Sequence, residues 1–289
     1  MNVKLKSVRI VRLLVLAFLP PLAVTGGSAA NPPQGDALVK RALAAEVSNA
    51  ENPQQPMRYK LRKFSPHLTS TKEIFETKDG AVARLVAIND RPLNPDDERK
   101  EQARLDELMR DPGLQRHRKQ AQAADAGRAL KVLRVLPEAF KYSYAGSEAG
   151  PSGRVEKFDF EPNPQFNPPD LETQVLTAMK GQLWIDASQE RVIRLEGHLQ
   201  DDVDFGWGIL ARLNKGGWIL LEQADVGDHQ WRIVHFKMNM SGRVVFMNKV
   251  FDTVEDQSQF EPVAVGLSYQ QAIRELRQTS LEGVTNSSR

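Results

Sequence analysis

The densest group of acidic residues in the sequence is Asp201-Asp202-Val203-Asp204, whose carboxylates could do chemistry. On a strand, alternation would place Asp202 and Asp204 on the same side. Two such carboxylates could share a cation, or act as general acid and base in a hydrolysis of the glycosidase type. The further ligands of a calcium-binding EF-hand loop are absent at their required spacing. Loop carboxylates are commonly just solvated, so the group supports a hydrolase only as an alternative hypothesis.

No other motif of a known catalytic mechanism is present. The five histidines do not have the spacing of a metal site: His67, His117, His198, His229 and His235. In Gly146-Ser147-Glu148-Ala149-Gly150 the serine directly follows the first glycine, so the order of a nucleophile elbow is not met. We therefore predict no catalytic residue, no metal and no cofactor, and the sequence leaves open whether the protein is an enzyme.

Large apolar side chains suggest binding instead. All four tryptophans lie in one stretch of predicted strands, and most tryptophans fill a core. Some could instead line a cavity for an apolar ligand, because rigid rings supply contact area at little entropic cost. Phe236 and Met238 share a face of the alternating segment Trp231 to Met240. The candidate ligand-binding residues are therefore Trp184, Trp207, Trp218, Trp231, Phe236 and Met238.

The first thirty residues have the three parts of a secretory signal peptide. Four basic residues and no acidic residue come first: Lys4, Lys6, Arg9 and Arg12. An apolar core over Leu13–Val24 follows, and small residues lead to Ala30, where we predict cleavage. A retained membrane anchor is the alternative, but a spanning helix needs about 20 apolar residues. This core is shorter and is interrupted by Pro20 and Pro21.

Composition restricts the functions open to the exported chain. Without cysteine it has neither disulfides nor the lipid-bearing residue of a lipoprotein, so burial alone must stabilise it. Cleavage would change the formal net charge from +2 to −2, which gives no electrostatic reason to expect nucleic-acid binding. No later segment approaches membrane-spanning length. We therefore predict a periplasmic or secreted protein with no membrane span after cleavage.

The first part of the exported chain reads as a helix followed by three strands. Asp36 can cap a helix that ends near Ser48. Strands are predicted over Tyr59–Phe64, Thr71–Thr77 and Ala81–Ile88. The Asp79-Gly80 pair between the last two is a strong hairpin signal. An antiparallel meander is the expected result.

A helical insert over residues 94–136 interrupts the strands. Asn94 followed by Pro95 and two acidic residues is a typical helix start. A break is predicted at Asp111-Pro112-Gly113. The charged surface of the insert is interpreted as solvated, and its apolar end is expected to pack on the sheet. A second hypothesis is a basic surface that faces a partner or a membrane, built from Arg116, His117, Arg118 and Lys119.

The rest of the chain reads as short strands joined by tight turns. Turns are predicted at Gly146–Gly153, Asp186–Arg191 and Ser241–Gly242, and a short helix over Asp170–Met179. The predicted fold class is α+β, with a large curved antiparallel sheet. One β-rich domain is expected over 31–266, followed over 267–289 by a helix and a disordered tail.

The segment Gly181–Gly197, GQLWIDASQERVIRLEG, resembles the LolA/LolB-like superfamily, which includes lipoprotein carriers and the sensor domain RseB. The resemblance implies a half-open β-barrel whose concave side is covered by helices and whose cavity holds acyl chains. No ligand contact of the carriers is transferred to this sequence. The chain also resembles an uncharacterised group of exported bacterial proteins that share LPEAF, FEPNPQFNPP and DVDFGWGIL. That second resemblance implies no activity.

The leading functional hypothesis is an exported binding protein that holds a lipid or an acylated protein, as a carrier or as an envelope sensor. One alternative is a periplasmic hydrolase that uses the carboxylates of Asp201–Asp204. Another is a non-catalytic envelope protein that contacts a partner protein through the helical insert.

Overall fold

A computed structural model describes residues 33–52, 54–205, 211–244 and 247–286. The predicted signal peptide, residues 1–30, lies outside the described residues. The described chain contains helices and a large antiparallel sheet, so the predicted α+β class is confirmed. No helix among the described residues is long and apolar enough to cross a membrane.

The described residues form five α-helices and one 3₁₀ turn, Val175–Ala178. In chain order the helices are α1 (Pro33–Glu51), α2 (Pro95–Arg110), α3 (Pro112–Ala139), α4 (Leu171–Gln174) and α5 (Tyr269–Asn286). The predicted insert therefore consists of α2 and α3. α5 continues to Asn286, within the segment for which the sequence predicts a disordered tail.

Thirteen strands form the antiparallel sheet. In chain order they are β1 (Met57–Ser65), β2 (Leu68–Phe75), β3 (Val82–Ile88), β4 (Arg91–Pro92), β5 (Phe140–Gly150), β6 (Gly153–Pro162), β7 (Met179–Asp186), β8 (Arg191–Leu199), β9 (Val203–Phe205), β10 (Ala211–Leu213), β11 (Trp218–Asp225), β12 (Trp231–Val244) and β13 (Met247–Pro262).

The chain divides into two compact units, although the sequence predicts a single domain over 31–266. Unit 1 comprises the described residues among 1–53, 125–224 and 235–252, and unit 2 those among 54–124, 225–234 and 253–289. Both β12 and β13 contribute residues to each unit, as does α3. Because regular elements run through the division, no linker composition marks it in the sequence.

Unit 1 contains the strand order β13-β12-β11-β8-β7-β6-β5, with β10 paired to β12 and β9 to β10. Its buried hydrophobic residues form one group, cluster 1, with members from α1, α3 and the strands. Leu43, Phe158, Leu183, Leu199 and Met240 are among its large side chains with almost no exposure. This cluster is the core that positions the candidate site.

Unit 2 contains the strand order β4-β3-β2-β1-β13. Phe75 and Val82 pack there with Leu105 of α2 and with Ile273 and Leu276 of α5, in a group that we call cluster 2. All five side chains are completely buried. β4 ends the strand order in this unit, as β5 does in unit 1.

The local signals of the insert and of the first hairpin are confirmed. Asn94 caps α2, since its side chain accepts from the backbone N–H groups of Asp96 and Asp97. The insert breaks at Asp111, as predicted, where α2 ends and α3 begins. β2 and β3 pair antiparallel around the predicted turn, in which Gly80 has a φ of +93°. Glycine adopts that conformation without steric penalty.

One predicted turn is shorter than expected and another is wrong. The chain turns at Pro151 and Ser152, inside the predicted range Gly146–Gly153, but β5 continues to Gly150, and Gly146 lies at a register shift after Tyr144 with a φ of +118°. Ser241 and Gly242 lie inside β12, where Gly242 is paired with Leu213. A Cβ at Gly242 would lie 2.4 Å from the carbonyl oxygen of Arg212. The glycine therefore allows close strand approach and does not reverse the chain.

Candidate functional site

Trp184 of β7 lies on the sheet face opposite cluster 1, because its neighbours Leu183 and Ile185 are buried in that cluster. The Nζ of Lys157 lies 5.9 Å from the ring centroid, and the Cζ of Arg194 lies 5.1 Å from it. Such distances are typical of cation–π contacts. The half-buried ring of Trp184 is therefore surrounded by charged groups.

Trp218 of β11 is half-buried and packs against cluster 1. It is paired with His198 of β8. The Nζ of Lys237 lies 4.9 Å from its ring centroid, a second cation–π contact. Trp218 thus combines an apolar contact with the core and a contact with a cation.

The other candidate residues divide between the two units. Met238 of β12 is buried in cluster 1, and Phe236, two residues earlier on the same face, is half-buried against that cluster. Trp231 is buried at the start of β12, in unit 2. Trp207 lies outside the described residues. The structure therefore brings Trp218, Phe236 and Met238 to cluster 1.

A set of hydrophobic side chains packs against cluster 1 while staying partly exposed, and we call this set the apolar rim. Its members are Leu38, Val132, Leu133, Val135, Tyr142, Tyr144, Phe166, Leu195, Ala211, Trp218, Ile219, Phe236 and Phe251. Each member contacts the close-packed core and keeps part of its own apolar surface exposed. Such a surface gives an apolar ligand contact area without a large rearrangement of the protein.

The hydroxyl group of Tyr142, a member of the rim, is satisfied by a hydrogen bond within the protein. It donates to the carbonyl oxygen of Leu136, at 2.9 Å, near the end of α3. Burial raises the pKa of the Tyr142 hydroxyl above its usual value. The ring therefore stays neutral and contributes mainly apolar surface.

Unit 1 also contains a cavity of about 400 Å³ at the end of α3. Its lining residues are Val135, Glu138, Asn163, Gln165, Phe166, Asn167 and Pro169. Val135 and Phe166 belong to the apolar rim as well, so the cavity and the rim share part of one surface. Four of the seven lining residues are polar, so the cavity offers hydrogen-bonding groups beside the apolar side chains of the rim.

Asn163 holds the loop that lines this cavity. Its backbone N–H donates to the carbonyl oxygen of Ala139, and its side-chain amide donates to that of Glu138, both at 2.9 Å. Its side-chain oxygen accepts from the backbone of Gln165 at 3.1 Å. Phe166 donates its backbone N–H to the carbonyl oxygen of Asn163. The loop is therefore tied to the last turn of α3.

Two carboxylates of the acidic group at 201–204 are paired with Arg212. Arg212 Nε donates to Asp204 Oδ1 at 2.6 Å, and Arg212 Nη1 lies 3.5 Å from Asp202 Oδ2. The hydrogen bond from Arg212 lowers the pKa of the Asp204 carboxyl. A general acid must hold a proton near neutral pH, which this carboxyl does not. The contacts are those of an ion pair that joins β9 to β10.

The other polar candidates of the sequence do not converge. In the described part of the chain, no group of three or more histidines or carboxylates could hold a metal ion. The basic segment of the insert lies in the part of α3 that belongs to unit 2, with Arg116, His117 and Lys119 exposed. Lys119 Nζ donates to the carbonyl oxygen of Lys78 at 2.7 Å.

No protein-family model matches the chain, and no curated protein matches its sequence. The chain is similar to three solved structures. A domain described as that of an outer membrane lipoprotein-sorting protein from Vibrio parahaemolyticus is 10% identical, with a TM-score of 0.33 over 82% of this chain and 98% of that one. The LolA superfamily protein NE2245 from Nitrosomonas europaea is 11% identical, with a TM-score of 0.29 over 79% and 93% of the two chains.

The third structure is a DUF1329 family protein from Desulfovibrio piger, 11% identical, with a TM-score of 0.28 over 82% of this chain and 95% of that one. All TM-scores are below 0.5, so the functional proposal rests on the contacts within this chain alone.

Sequence reasoning missed the cavity. The segment Pro162–Pro169, PNPQFNPP, is predicted as a loop, and no sequence motif indicates a role for its three side-chain amides. Its signal was the density of side-chain amides among prolines, directly after the buried strand β6. The pairing of that loop with the end of α3 is a tertiary contact that periodicity does not reveal.

Proposed function

We propose that this protein is exported and that it binds an apolar ligand, a lipid or the acyl chain of an acylated protein, on the apolar rim of unit 1. The observation that carries the proposal is the rim itself, the set of partly exposed hydrophobic side chains that pack against the buried cluster 1. In this proposal the protein acts as a carrier or envelope sensor in the periplasm or outside the cell. A partner protein that contacts the helical insert is a subsidiary part of it.

The proposal has an energetic consequence that a polar site would not share. Each methylene group that leaves water contributes about 0.8 kcal/mol, which corresponds to roughly fourfold in affinity. Ligands of one headgroup and increasing chain length should therefore bind progressively more tightly. The gain ends when the chain is longer than the rim.

The test is displacement of a fluorescent fatty acid from the purified full chain by octanoate, decanoate and dodecanoate. The decisive variant is Phe236→Asp, which places a charge on the half-buried rim. Leu68→Asp is the matched control, because Leu68 is a 47% exposed hydrophobic residue in unit 2. We expect affinity to fall about tenfold or more for Phe236→Asp and to stay unchanged for Leu68→Asp.

Far-UV circular dichroism shows that each variant is folded before its affinity is compared. Equal affinity in the parent chain and both folded variants would rule out the rim as the binding surface. Absence of any probe uptake by the parent chain would rule out the function. The export part is tested separately, by the intact mass of protein recovered from the periplasm, which we expect to begin at Asn31.

A further inference from the structure

The cavity at the end of α3 is open to solvent, and three of its polar side chains are solvent-exposed and have no partner in the described part of the chain. The Glu138 carboxylate and the side-chain amides of Gln165 and Asn167 line it without a hydrogen bond or ion pair to the described part of the chain. Asn163 differs, since both ends of its amide are used in holding the loop. Three polar groups are therefore left to bond with water or with a ligand.

The charge of the cavity selects between ligands. Glu138 is the one ionisable residue of the described lining. Two basic residues of the same part of α3 are each paired with a carboxylate, Lys131 with Asp170 at 3.2 Å and Arg134 with Glu51. A lining with one carboxylate and no cation attracts an ammonium group and repels a phosphate or carboxylate.

The position of the cavity connects it to the apolar rim. Val135 and Phe166 line the cavity and also pack against cluster 1. A ligand whose chain lies on the rim can therefore place its polar end in the cavity. A volume of about 400 Å³ is enough for a polar group the size of a sugar or an amino alcohol.

We propose that this cavity is the headgroup subsite of the apolar ligand, and that it takes a head with amine or hydroxyl donors and no net negative charge. The inference rests on the proposed function, since it assigns the polar end of the same ligand. Glu138 accepts from the donor and sets the charge preference, while the amides of Gln165 and Asn167 bond to the remaining polar atoms of the head.

The test compares two ligands with one chain and opposite heads, octylammonium and octanoate, by displacement of the fluorescent probe from the full chain at pH 7 and low salt. We expect the parent protein to bind octylammonium about tenfold more tightly than octanoate. Glu138→Gln should bring the ratio of affinities close to one, and Glu138→Asp should keep the preference. Asp201→Asn is the matched control, an exposed carboxylate of unit 1 outside the cavity lining, and should not change the ratio.

The outcomes separate this inference from the proposed function. Binding of both ligands with equal affinity would overturn the headgroup subsite and leave apolar binding standing. Binding of neither ligand would remove both proposals. Ethanolammonium, which has the head without the chain, should bind more than about a hundredfold more weakly than octylammonium, because the chain contributes most of the burial. Comparable affinity would make the cavity a site for free amines and would overturn its role as a headgroup subsite.

Discussion

The two units each contain a buried hydrophobic cluster, but different surfaces surround the two clusters. Thirteen partly exposed hydrophobic residues pack against cluster 1. Among the described residues, two partly exposed hydrophobic residues, Met109 and Val263, pack against cluster 2. Cluster 1 therefore continues into an accessible apolar surface, and cluster 2 ends almost at its own boundary.

Charged residues complete the border of cluster 2. Arg84 of β3 bonds to Glu98 of α2 at 2.8 Å, and Glu101 accepts from the backbone of Leu85 and from Arg104. Arg84 and Glu101 are each only 6% exposed. Such a network holds α2 on the strands. The two clusters therefore differ in their borders: charged residues lie beside cluster 2, and partly exposed hydrophobic residues pack against cluster 1.

The largest expected effect separates stability from binding. Phe75→Ala removes a completely buried ring from cluster 2 and should lower the free energy of unfolding by about 3–5 kcal/mol. Ligand affinity of the folded variant should be unchanged. Phe236→Ala should cost less than about 1.5 kcal/mol of stability, because the ring is half-buried, and should weaken binding. Urea denaturation and probe displacement measure both, and equal loss of affinity in the two variants would contradict the comparison.

The second prediction concerns the attachment of α1 in unit 1. Glu46 accepts from Arg191 Nε and Nη2, at 2.8 and 2.9 Å, and from the backbone of Val192. Glu46→Ala leaves Arg191 as an uncompensated, mostly buried charge and should lower the free energy of unfolding by about 3 kcal/mol. A combined Glu46→Leu and Arg191→Leu variant removes both charges and should recover most of the loss. A single-variant loss below about 1 kcal/mol would show that α1 does not depend on this pair.

The third prediction is a pH dependence that originates in unit 1. Burial raises the pKa of the Asp186 carboxyl, but hydrogen bonds from Ser188 and Gln189 outweigh it and hold the pKa below 3.8. A lowered pKa in the folded state stabilises the protein above the unfolded value, and this stabilisation is lost as pH falls through the folded value. Asp186→Asn should therefore lower stability at pH 7 and flatten its decline toward pH 3.

Urea midpoints measured from pH 7 to pH 3 check the third prediction. Asp90 of unit 2 is the control, since its exposed carboxylate is paired with Arg62 and solvent screens that pair. Asp90→Asn should change the pH profile less than Asp186→Asn does. Parallel profiles for the parent chain and Asp186→Asn would contradict the assignment.

The smallest expected effect concerns the acidic group of unit 1. A combined Asp202→Asn and Asp204→Asn variant removes an exposed ion pair with Arg212, and such pairs contribute little to stability. We expect ligand affinity and every cellular phenotype of the protein to be retained. A lost phenotype in a folded variant that still binds ligand would revive the hydrolase hypothesis for this group.

Local features of the fold were predictable because their causes lie within a few residues. Asn94 caps the next helix with its own side chain, and the turn between β7 and β8 forms at the predicted residues Asp186–Arg191. The candidate site was predictable only in part. Alternation correctly placed Phe236 and Met238 on one face, and that face contacts cluster 1. The sequence also predicts Trp184 as a ligand-binding residue, but Trp184 lies on the opposite face of the sheet.

Glycine shows why the remaining features were not predictable. Gly80 and Gly242 are the same residue type, but Gly80 supports a turn and Gly242 allows β10 to approach β12. Whether Gly242 forms a turn or lies within a strand depends on its pairing with β10, which is distant in sequence. The cavity has the same origin, since Val135 and Phe166 meet only when the loop of Asn163 docks on α3.

The sequence by itself determined the α+β class, the start and the break of the helical insert, and the faces on which apolar residues alternate. Those properties follow from backbone geometry and short-range hydrogen bonds. Only the tertiary structure decided which apolar faces are sealed and which remain half-exposed. The physical reason is that alternation divides a strand into two faces but does not specify what covers either of them, and coverage decides whether a hydrophobic residue stabilises the fold or meets a ligand.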